Sequence, residues 1–482
     1  MKNCEFIKDF EAFEHDKEPL HPLLVQQFQS SYGYEQSTLK SQVQRYVELT
    51  SIFQSWYGES DLIFSRAPGR VDLLGSHTDY HEGYVLTMAL DREILIAAGR
   101  RDDRRIVLKN CEGRFAAQEF MLGEEIPPGA PGNWANYVKA AAQALVRAYG
   151  PDRIRGANLL VDGRPPYGIP PAAGLSSSSA LLVAAAKALA ALYRIPLDPK
   201  QFALFCGKAE WYVGTRGGFM DHASSILSQR ETAFFLDCRP VDQNGNTTLS
   251  TDTIPLVPEY CVAICNTNVT KEKAASSDYN VRALECQLGM QLLHPHVPQA
   301  KFLRDIPNDA PISEWLPEES TFDDLQQSIE PQNLEKLFTH YNVEQSRKLS
   351  LLSRCRHVIS ENSRVLAGRR YLNEGNIEKF GRVMSASYAS MRGDFEASCR
   401  ELDIMIDIAM DFPGTVGARI AGAGWGGCVV ALVKAMEAVE FQKQVAERYV
   451  QQTDIQADIF LCLPGQGASI IGEDDSCLSH SG

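Results

Sequence analysis

Short apolar runs bounded by turn residues predict that strands dominate the chain from about residue 62. The runs "LIFS", "REILIAAG", "RIVLKN" and "GANLLVD" have the length and flanking residues that are typical of strands. Longer segments with helical periodicity include "NWANYVKAAAQALVRAYG" and "SSSSALLVAAAKALAALYRI". Because strands and helices mix without regular alternation, the pattern predicts an α+β protein of two domains rather than a doubly wound sheet.

The same pattern divides the chain into segments. Residues 1–45 are expected to form an N-terminal extension with helical stretches, followed by a first domain over 46–245. A second domain over 246–465 is expected to contain a Pro-rich surface insertion at about 294–320, with "HPHVPQAK" and "IPNDAPISEWLPEES". The remaining residues, 466–482, are expected to form a flexible tail.

Composition narrows the class of protein. The 482 residues are 44% hydrophobic and 22% charged, with no apolar run long enough to cross a bilayer and no apolar core in the charged N-terminus. We therefore expect a cytoplasmic protein without a membrane partner. Separately from composition, we expect a monomer or weak oligomer. The net charge of −14 opposes bulk electrostatic binding of nucleic acid. The 12 cysteines lack CxxC spacing and are expected to be buried free thiols.

A stretch rich in glycine and serine carries the strongest phosphate-binding signal. In "PPAAGLSSSSALLVAAA", a turn at Gly174 and four serines precede a helix of small residues, so free N–H groups and the positive helix end meet at one point. Serine hydroxyls there can also ligate Mg²⁺. The alternative is a Ser-rich helix cap without a ligand, although one side chain suffices for a cap. The chain has no GxxxxGK[ST] loop and no protein-kinase signatures.

Two further motifs are weaker when each is taken alone. "GAGWGG" matches GxGxxG, but a strand-like segment, "CVVALV", follows it where a dinucleotide fingerprint needs a helix. A tight loop between strands, with its backbone close to a ligand or to another segment, fits better, and a plain hairpin stays open. "RGGFMDHASSILSQ" places Asp221 after a glycine pair, where a solvated surface charge is the alternative.

The stretch "SRAPGRVDLLGSHTDYHEGYVLTMAL" crowds polar residues between two apolar segments. A metal site formed by His77, Asp79, His81 and Glu82 is disfavoured, because ligands so close in sequence rarely converge on one ion without help from elsewhere. Its polar residues therefore indicate another kind of site, which the other motifs help to define.

Taken together and in this order, the motifs resemble those of the galactokinases, within the GHMP kinase superfamily. The signature "APGRVDLLGSHTDYHEGYVLTMAL", the phosphate loop "GLSSSSA" and the third motif "GARIAGAGWGGC" carry the resemblance. "NWANYVK", "AEWYVG", "GGFMDH" and "SSDYNVRALEC" lie between them, so the similarity runs from about residue 62 to 463. It implies an N-terminal domain resembling ribosomal protein S5 domain 2, a ferredoxin-like C-terminal α+β domain, and an active site in the cleft between them.

The resemblance implies a reaction and its residues. An ATP- and Mg²⁺-dependent kinase would phosphorylate the anomeric hydroxyl of galactose or a closely related galacto-configured sugar. Asp221 would orient or deprotonate that hydroxyl, and Arg70 would stabilise charge on the phosphoryl group. Ser178 and Glu210 would hold Mg²⁺. The ATP phosphates would be bound by the loop residues Gly174, Leu175, Ser176, Ser177, Ser178 and Ser179.

The resemblance also implies a sugar pocket. His77, Asp79, Gly218 and Tyr279 would surround the sugar, together with Ser76. A carboxylate such as that of Asp79 can accept two hydroxyl protons from a vicinal diol.

Two residues of the signature depart from the galactokinase pattern. Ser76 stands where galactokinases generally carry the glutamate that receives the C6 hydroxyl, and Asp72 stands where they usually carry asparagine. Relatives that act on L-arabinose or galacturonate also have a small residue at the first position, so L-arabinokinase and galacturonate kinase remain alternatives. The substitution Ser76→Glu is expected to raise the preference for galactose over its C6 variants.

An alternative of another class is a non-catalytic, sugar-sensing protein on a galactokinase scaffold. Such a protein would be expected to have lost part of the phosphate loop or a catalytic residue. Because "GLSSSSA", Arg70 and Asp221 are all retained, the enzyme is favoured.

Overall fold

The computed structural model of the chain describes residues 21–58, 60–215, 217–243, 246–270 and 272–472. Its strands are β1 (Leu62–Leu74), β2 (Tyr84–Arg100), β3 (Arg105–Asn110), β4 (Gln118–Met121), β5 (Ala157–Asp162), β6 (Thr232–Gln243), β7 (Asn246–Pro255), β8 (Tyr260–Asn266), β9 (Thr415–Ile420), β10 (Cys428–Lys434), β11 (Asp458–Cys462) and β12 (Ser469–Ile471).

The helices follow the periodic segments of the sequence. They are α1 (Pro22–Tyr32), α2 (Gln36–Tyr57), α3 (Ala135–Tyr149), α4 (Ser177–Leu192), α5 (Pro199–Glu210), α6 (Met220–Leu227), α7 (Glu272–Leu293), α8 (Ile312–Trp315), α9 (Phe322–Leu325), α10 (Pro331–Tyr341), α11 (Leu351–Asn373), α12 (Ile377–Gly393), α13 (Arg400–Met410) and α14 (Ala438–Thr453). None of them is long and apolar enough to cross a membrane.

The first sheet lies between two helical layers. Its strands are ordered β12-β1-β2-β5-β3-β4, with β6 on β2 and β7 on β6. Phe64 of β1 faces α1 and α2, whereas its neighbour Ser65 faces α4 and donates a hydrogen bond to the carbonyl of Ala184 at 2.8 Å. Because both faces of β1 and β2 are covered, these strands appear in the sequence as continuous apolar runs rather than as alternating ones.

The expected boundary at residue 45 is wrong, because it falls inside α2. The Arg45 side chain pairs with Glu93 at 3.0 Å and with Asp162 at 2.9 Å, and all three side chains are buried. Residues 21–45 are therefore part of the first domain. The rest of the expected extension, 1–20, lies outside the described residues.

The boundary at residue 245 and the flexible tail also need correction. β6 and β7 pair as an antiparallel hairpin across residue 245, so the second domain begins near β8. β12 returns to the edge of the first sheet, where Ile471 pairs with Phe64 and is buried in its core. Apolar burial orders this part of the tail; the residues from 473 onwards lie outside the described chain.

The Pro-rich segment is not a surface insertion. Its prolines interrupt helices, but the apolar residues between them are buried in the core of the second domain: Val297, Leu303, Ile306, Ile312 and Leu316. Arg304 also donates hydrogen bonds to the Glu82 carbonyl at 2.6 Å and to the Asp237 carboxylate, both in the first domain. The segment therefore joins the two domains.

The second sheet has the order β11-β8-β10-β9, with all neighbours antiparallel. This is the order of a ferredoxin-like domain, in which one helical connection precedes a hairpin and a second one precedes the last strand. The hairpin loop of β9 and β10 carries the third motif against the phosphate loop. A Cβ on Gly422 would lie 2.6 Å from the carbonyl oxygen of Gly174, and both glycines have positive φ (73° and 76°), so this contact between the domains requires glycine.

Candidate active site

A cleft with a volume of about 280 Å³ lies where the two glycine-rich loops meet. All the sequence motifs contribute to its wall, which includes Arg70, Asp72, Ser76, His77, Asp79, Tyr137, Ser178, Ser179, Glu210, Gly218, Asp221, His222, Tyr279 and Gly422. The structure therefore brings together residues that the sequence separates by up to 353 positions, from Arg70 to Ala423.

Arg70 and Asp221 form an ion pair at the centre of the cleft. Arg70 lies on β1, and its Nε donates to Asp221 Oδ1 at 2.7 Å. Its Nη1 donates to the carbonyl of Gly174 at 2.9 Å, which fixes the guanidinium against the phosphate loop. Burial opposes the charge of Arg70, but the Asp221 and Asp72 carboxylates outweigh it and raise the pKa of the guanidinium above its ordinary value.

The start of α4 points its first turn at the same place. Ser176 occupies the N-cap position of this helix in a left-handed conformation (φ 56°), and its hydroxyl donates to Asp221 Oδ2 at 2.6 Å instead of to the helix backbone. The next three serines occupy the first helical turn, whose N–H groups lack partners within the helix. Ser178 and Ser179 line the cleft, so an anion there would meet N–H groups, hydroxyls and the positive helix end.

Glu210, at the end of α5, is the carboxylate beside these serines. The Ser179 hydroxyl donates to its Oε2 at 3.0 Å, and His222 Nε2 lies 2.8 Å from the same oxygen. Burial favours the neutral acid, but His222, Ser179 and Arg70 together lower the pKa of Glu210 below its ordinary value. The site therefore presents an ionised carboxylate next to serine hydroxyls.

Asp79 faces the cleft from the short 3₁₀ turn Asp79–His81. Burial, together with the nearby carboxylates of Asp221 and Asp72, raises the pKa of Asp79 to about 7. A Cβ on Gly218 would collide with the Asp79 carboxylate, so this position requires glycine. The family resemblance implies that Asp79 and Gly218 belong to one sugar pocket, and the structure has the two residues next to each other.

His77 also reaches the cleft, but its polar atoms are used within the protein. Nε2 lies 2.8 Å from the carbonyl of Ala423, which can only accept, so Nε2 carries the proton. Nδ1 then accepts from the Tyr80 hydroxyl at 3.0 Å. Burial lowers the pKa of His77 to about 3, so the ring is neutral. Its ring packs 5.6 Å from that of Tyr279, and burial raises the pKa of the Tyr279 hydroxyl well above its ordinary value.

Ser76 lies in a buried polar group of its own. Its hydroxyl donates to Asp72 Oδ2 at 2.8 Å and accepts from Arg419 Nη2 at 2.8 Å. The Ser76 carbonyl accepts from His357 Nε2 at 3.2 Å. The side chain that departs from the galactokinase pattern is thus held between a carboxylate and an arginine of β9.

Comparison with known proteins places these features in a family. Residues 51–100 match the galactokinase galactose-binding signature, 136–229 the N-terminal domain of GHMP kinases and 369–451 the C-terminal one. The chain is 32% identical over 423 residues to a galactokinase of Roseiflexus sp. (strain RS-1), covering 87% of this chain and 96% of the relative. It is 33% identical over 430 residues to a galactokinase of Chloroflexus aggregans, covering 88% and 98%.

The chain belongs to the galactokinase family.

The solved structures agree with this galactokinase fold. A Lactococcus lactis galactokinase in complex with galactose matches with a TM-score of 0.73 and 28% identity, over 88% of this chain and 99% of that one. A mevalonate kinase from Methanococcus jannaschii matches with a TM-score of 0.53 at 17% identity, which supports the fold alone. The expected GHMP kinase architecture and the class of ATP-dependent sugar kinase are confirmed.

Sequence reasoning missed three members of this galactokinase site. Tyr137 and His222 lie at the serine loop and Glu210, and Arg419 lies behind Ser76. A signal existed for two of them: His222 directly follows Asp221, and Arg419 is the one charged residue in the apolar strand "TVGARI". Neither signal reveals the partner: Glu210 lies on the preceding helix, and Ser76 is 343 residues from Arg419.

Proposed function

We propose that this protein transfers the γ-phosphoryl group of ATP, with Mg²⁺, to the anomeric hydroxyl of galactose or a closely related galacto-configured sugar. The products are the sugar 1-phosphate and ADP. The observation that carries the proposal is the pairing of Asp221 with Arg70 and with Ser176, directly in front of the first turn of α4. A sugar hydroxyl at Asp221 and a phosphate at the helix start would be adjacent.

The roles of the paired residues follow from their charges. The sugar O1 forms a bond to the γ-phosphorus, the bond to the ADP oxygen breaks, and the O1 proton passes to Asp221. Arg70 and Ser176 hold the Asp221 carboxylate in a fixed orientation, which suits a loose transition state in which the proton moves late. Arg70 offsets charge on the transferring group, and the start of α4 holds the phosphates.

The residues present fit Mg²⁺. Ser178 and the ionised Glu210 offer hard oxygen ligands on the same side of the cleft. Among the described residues, no group of three or more His, Cys, Asp or Glu side chains could hold a metal ion. This fits an ion that takes one or two protein oxygens and completes its shell with phosphates and water. When bound, Mg²⁺ would neutralise charge on the β- and γ-phosphates.

The charges of the cleft favour a neutral sugar. Four carboxylates line it (Asp72, Asp79, Glu210 and Asp221) against one arginine, Arg70, and the only proton of the Ser76 hydroxyl is donated to Asp72. The Ser76 wall can therefore accept a hydrogen bond but offers no donor to a carboxylate. We rank galactose first and L-arabinose second, with galacturonate behind them because its carboxylate would face like charges.

A coupled ADP-release assay tests the proposal. Galactose, L-arabinose, galacturonate, glucose and N-acetylgalactosamine are each supplied with ATP and Mg²⁺, and a reaction without sugar gives the background. We expect turnover with at least one neutral galacto-configured sugar and little with glucose. Background rates with all the galacto-configured sugars would overturn the proposal.

A further inference from the structure

Asp72 lies fully buried between two arginines. Its Oδ1 is 3.0 Å from Arg70 Nε, and its Oδ2 accepts the Ser76 hydroxyl at 2.8 Å. Its main-chain carbonyl also accepts from Arg419 Nη1 at 3.2 Å. One carboxylate thus contacts the arginine of the phosphoryl-transfer pair and, through a single hydroxyl, the arginine of the second domain.

Within the part of the chain that the structure describes, Arg419 forms no direct ion pair, although the nearby carboxylates of Glu361 and Asp72 both stabilise its charge. The side chain is fully buried, and among the described residues no carboxylate oxygen lies within 4.0 Å of it. Besides Ser76, its Nη2 contacts the Met391 sulfur at 3.0 Å, and its Nε has no hydrogen-bond partner among the described residues. A buried guanidinium is costly unless nearby negative charges stabilise it, and for Arg419 these charges are Glu361 and Asp72.

The hydroxyl of Ser76 connects these groups in one direction. Its single O–H donates a hydrogen bond to Asp72, and its oxygen accepts a hydrogen bond from Arg419. Arg419, Ser76, Asp72 and Arg70, which we call the buried relay, therefore form a continuous polar chain. The relay runs from β9 of the second sheet to β1 of the first and ends at Asp221.

We propose that Asp72 is a positioning residue for phosphoryl transfer, whose single carboxylate holds Arg70 against Asp221 and, through Ser76 and together with the nearby Glu361, balances the buried Arg419. The catalytic consequence rests on the proposed function. The charge balance of the relay does not, because it concerns the folded protein alone.

Substitutions at Asp72 and Ser76 change the number of carboxylates in the relay. The relay holds one carboxylate between its two arginines. Asp72→Asn would leave none, and Ser76→Glu would place a second one beside Asp72. The double variant Asp72→Asn/Ser76→Glu would restore one carboxylate, next to Arg419, with the new amide able to donate to it. The Ser76 side chain borders the cleft, so a longer side chain has space there.

The test compares the wild type, both single variants and the double variant. We expect Asp72→Asn to lower kcat by about 30-fold while the KM for ATP changes by less than about threefold. The double variant should recover at least about fivefold of that loss. In urea unfolding, the effects of the two substitutions on stability should be non-additive. The unfolding equilibrium constant of the double variant should be at least about tenfold smaller than the value obtained by adding the effects of the two single substitutions.

Asp162→Asn is the matched control. Asp162 is a buried carboxylate paired with Arg45 and Arg164, and none of these three residues lines the cleft. Its loss should destabilise the fold but leave kcat within about twofold. A kcat of Asp72→Asn within about twofold of wild type, in folded protein, would overturn the positioning role. Additive unfolding constants would overturn the charge balance.

The two proposals fail in different ways. If the wild type releases ADP with none of the sugars, the proposed function fails, and the unfolding cycle still decides the relay. If the wild type is active but the cycle is additive and Asp72→Asn keeps its kcat, the relay fails and the proposed function stands.

Discussion

Replacing Asp79 with asparagine should stabilise the protein increasingly as the pH rises from 5 to 8. Burial and the carboxylates of Asp221 and Asp72 raise the pKa of Asp79 to about 7 from an ordinary value of 3.8. Between these two values the folded protein binds a proton at Asp79 that the unfolded chain has released. The unfolding free energy of the wild type therefore falls as the pH rises through this window.

The magnitude follows from the two pKa values. Each unit of difference corresponds to about 1.4 kcal/mol, so the full shift of about three units is worth about 4 kcal/mol above pH 7. Between pH 5 and pH 8, about 3 kcal/mol of this is lost from the wild type. Asparagine does not titrate, and its carbonyl oxygen can still accept a backbone hydrogen bond. The stability of Asp79→Asn relative to wild type should thus rise by about 3 kcal/mol over the same range.

Urea unfolding of both proteins at pH 5, 6, 7 and 8 measures this difference. Asp103→Asn is a suitable control, because hydrogen bonds from Arg101 and Arg105 lower the pKa of exposed Asp103 to about 2, outside the range. The difference in unfolding free energy between Asp103→Asn and the wild type should not vary between pH 5 and pH 8. A constant or falling stability difference for Asp79→Asn would refute the account of Asp79. The gain in stability should be accompanied by weaker sugar binding, since the amide accepts less strongly than a carboxylate.

Further substitutions test the other parts of the site. Asp221→Asn should lower kcat by about 1000-fold while the Kd for ATP, measured by titration calorimetry, changes by less than about threefold; a near wild-type kcat would contradict its role. Glu210→Gln should raise the Mg²⁺ concentration needed for half-maximal ATP binding by about tenfold, and an unchanged requirement would exclude it as a ligand. Ser76→Glu alone should lower stability, since its carboxylate would lie beside Asp72; the preference for galactose over its C6 variants should rise in combination with Asp72→Asn. A fully stable single variant would contradict this.

Much of the fold could be predicted from the sequence, because its signals are local. The helix that ends before Gly150 and the helix that begins after Ser176 are both present, and the third motif forms a strand, a loop and a strand. In each case a few neighbouring residues set the backbone conformation. Glycine at a helix end acts over one turn, and the run of alanine and leucine after Ser179 favours a helix locally, so no distant contact is needed to predict these two helices.

The domain boundaries could not be predicted correctly from the sequence, because they depend on contacts between residues that are distant in sequence. Nothing in the local pattern shows that Arg45 pairs with Asp162, or that Ile471 joins a strand beginning at Leu62. The Pro-rich segment was misread for a similar reason. Its prolines indicate loops, whereas Leu303 and Ile312 are buried by helices from other parts of the chain.

The chemistry of the site was only partly visible in the sequence. The motifs supplied the residue types, and the structure supplies their partners. Ser176 donates to Asp221, and both ring nitrogens of His77 form hydrogen bonds within the protein. The departure at Ser76 was recognised from the family pattern. Its link to Arg419 could not be predicted, because 343 residues separate the two and only the folded chain brings them together.

The central claim, phosphoryl transfer to the anomeric hydroxyl at Asp221 and Arg70, is tested most directly by the structure of the product. The wild type is incubated with ATP, Mg²⁺ and ¹³C-labelled galactose, with L-arabinose in parallel, and the products are followed by ³¹P and ¹³C NMR. We expect a new phosphomonoester coupled to C1, which Asp221→Asn does not form. A phosphate on any other carbon, or the same product from Asp221→Asn at an unchanged rate, would contradict the account.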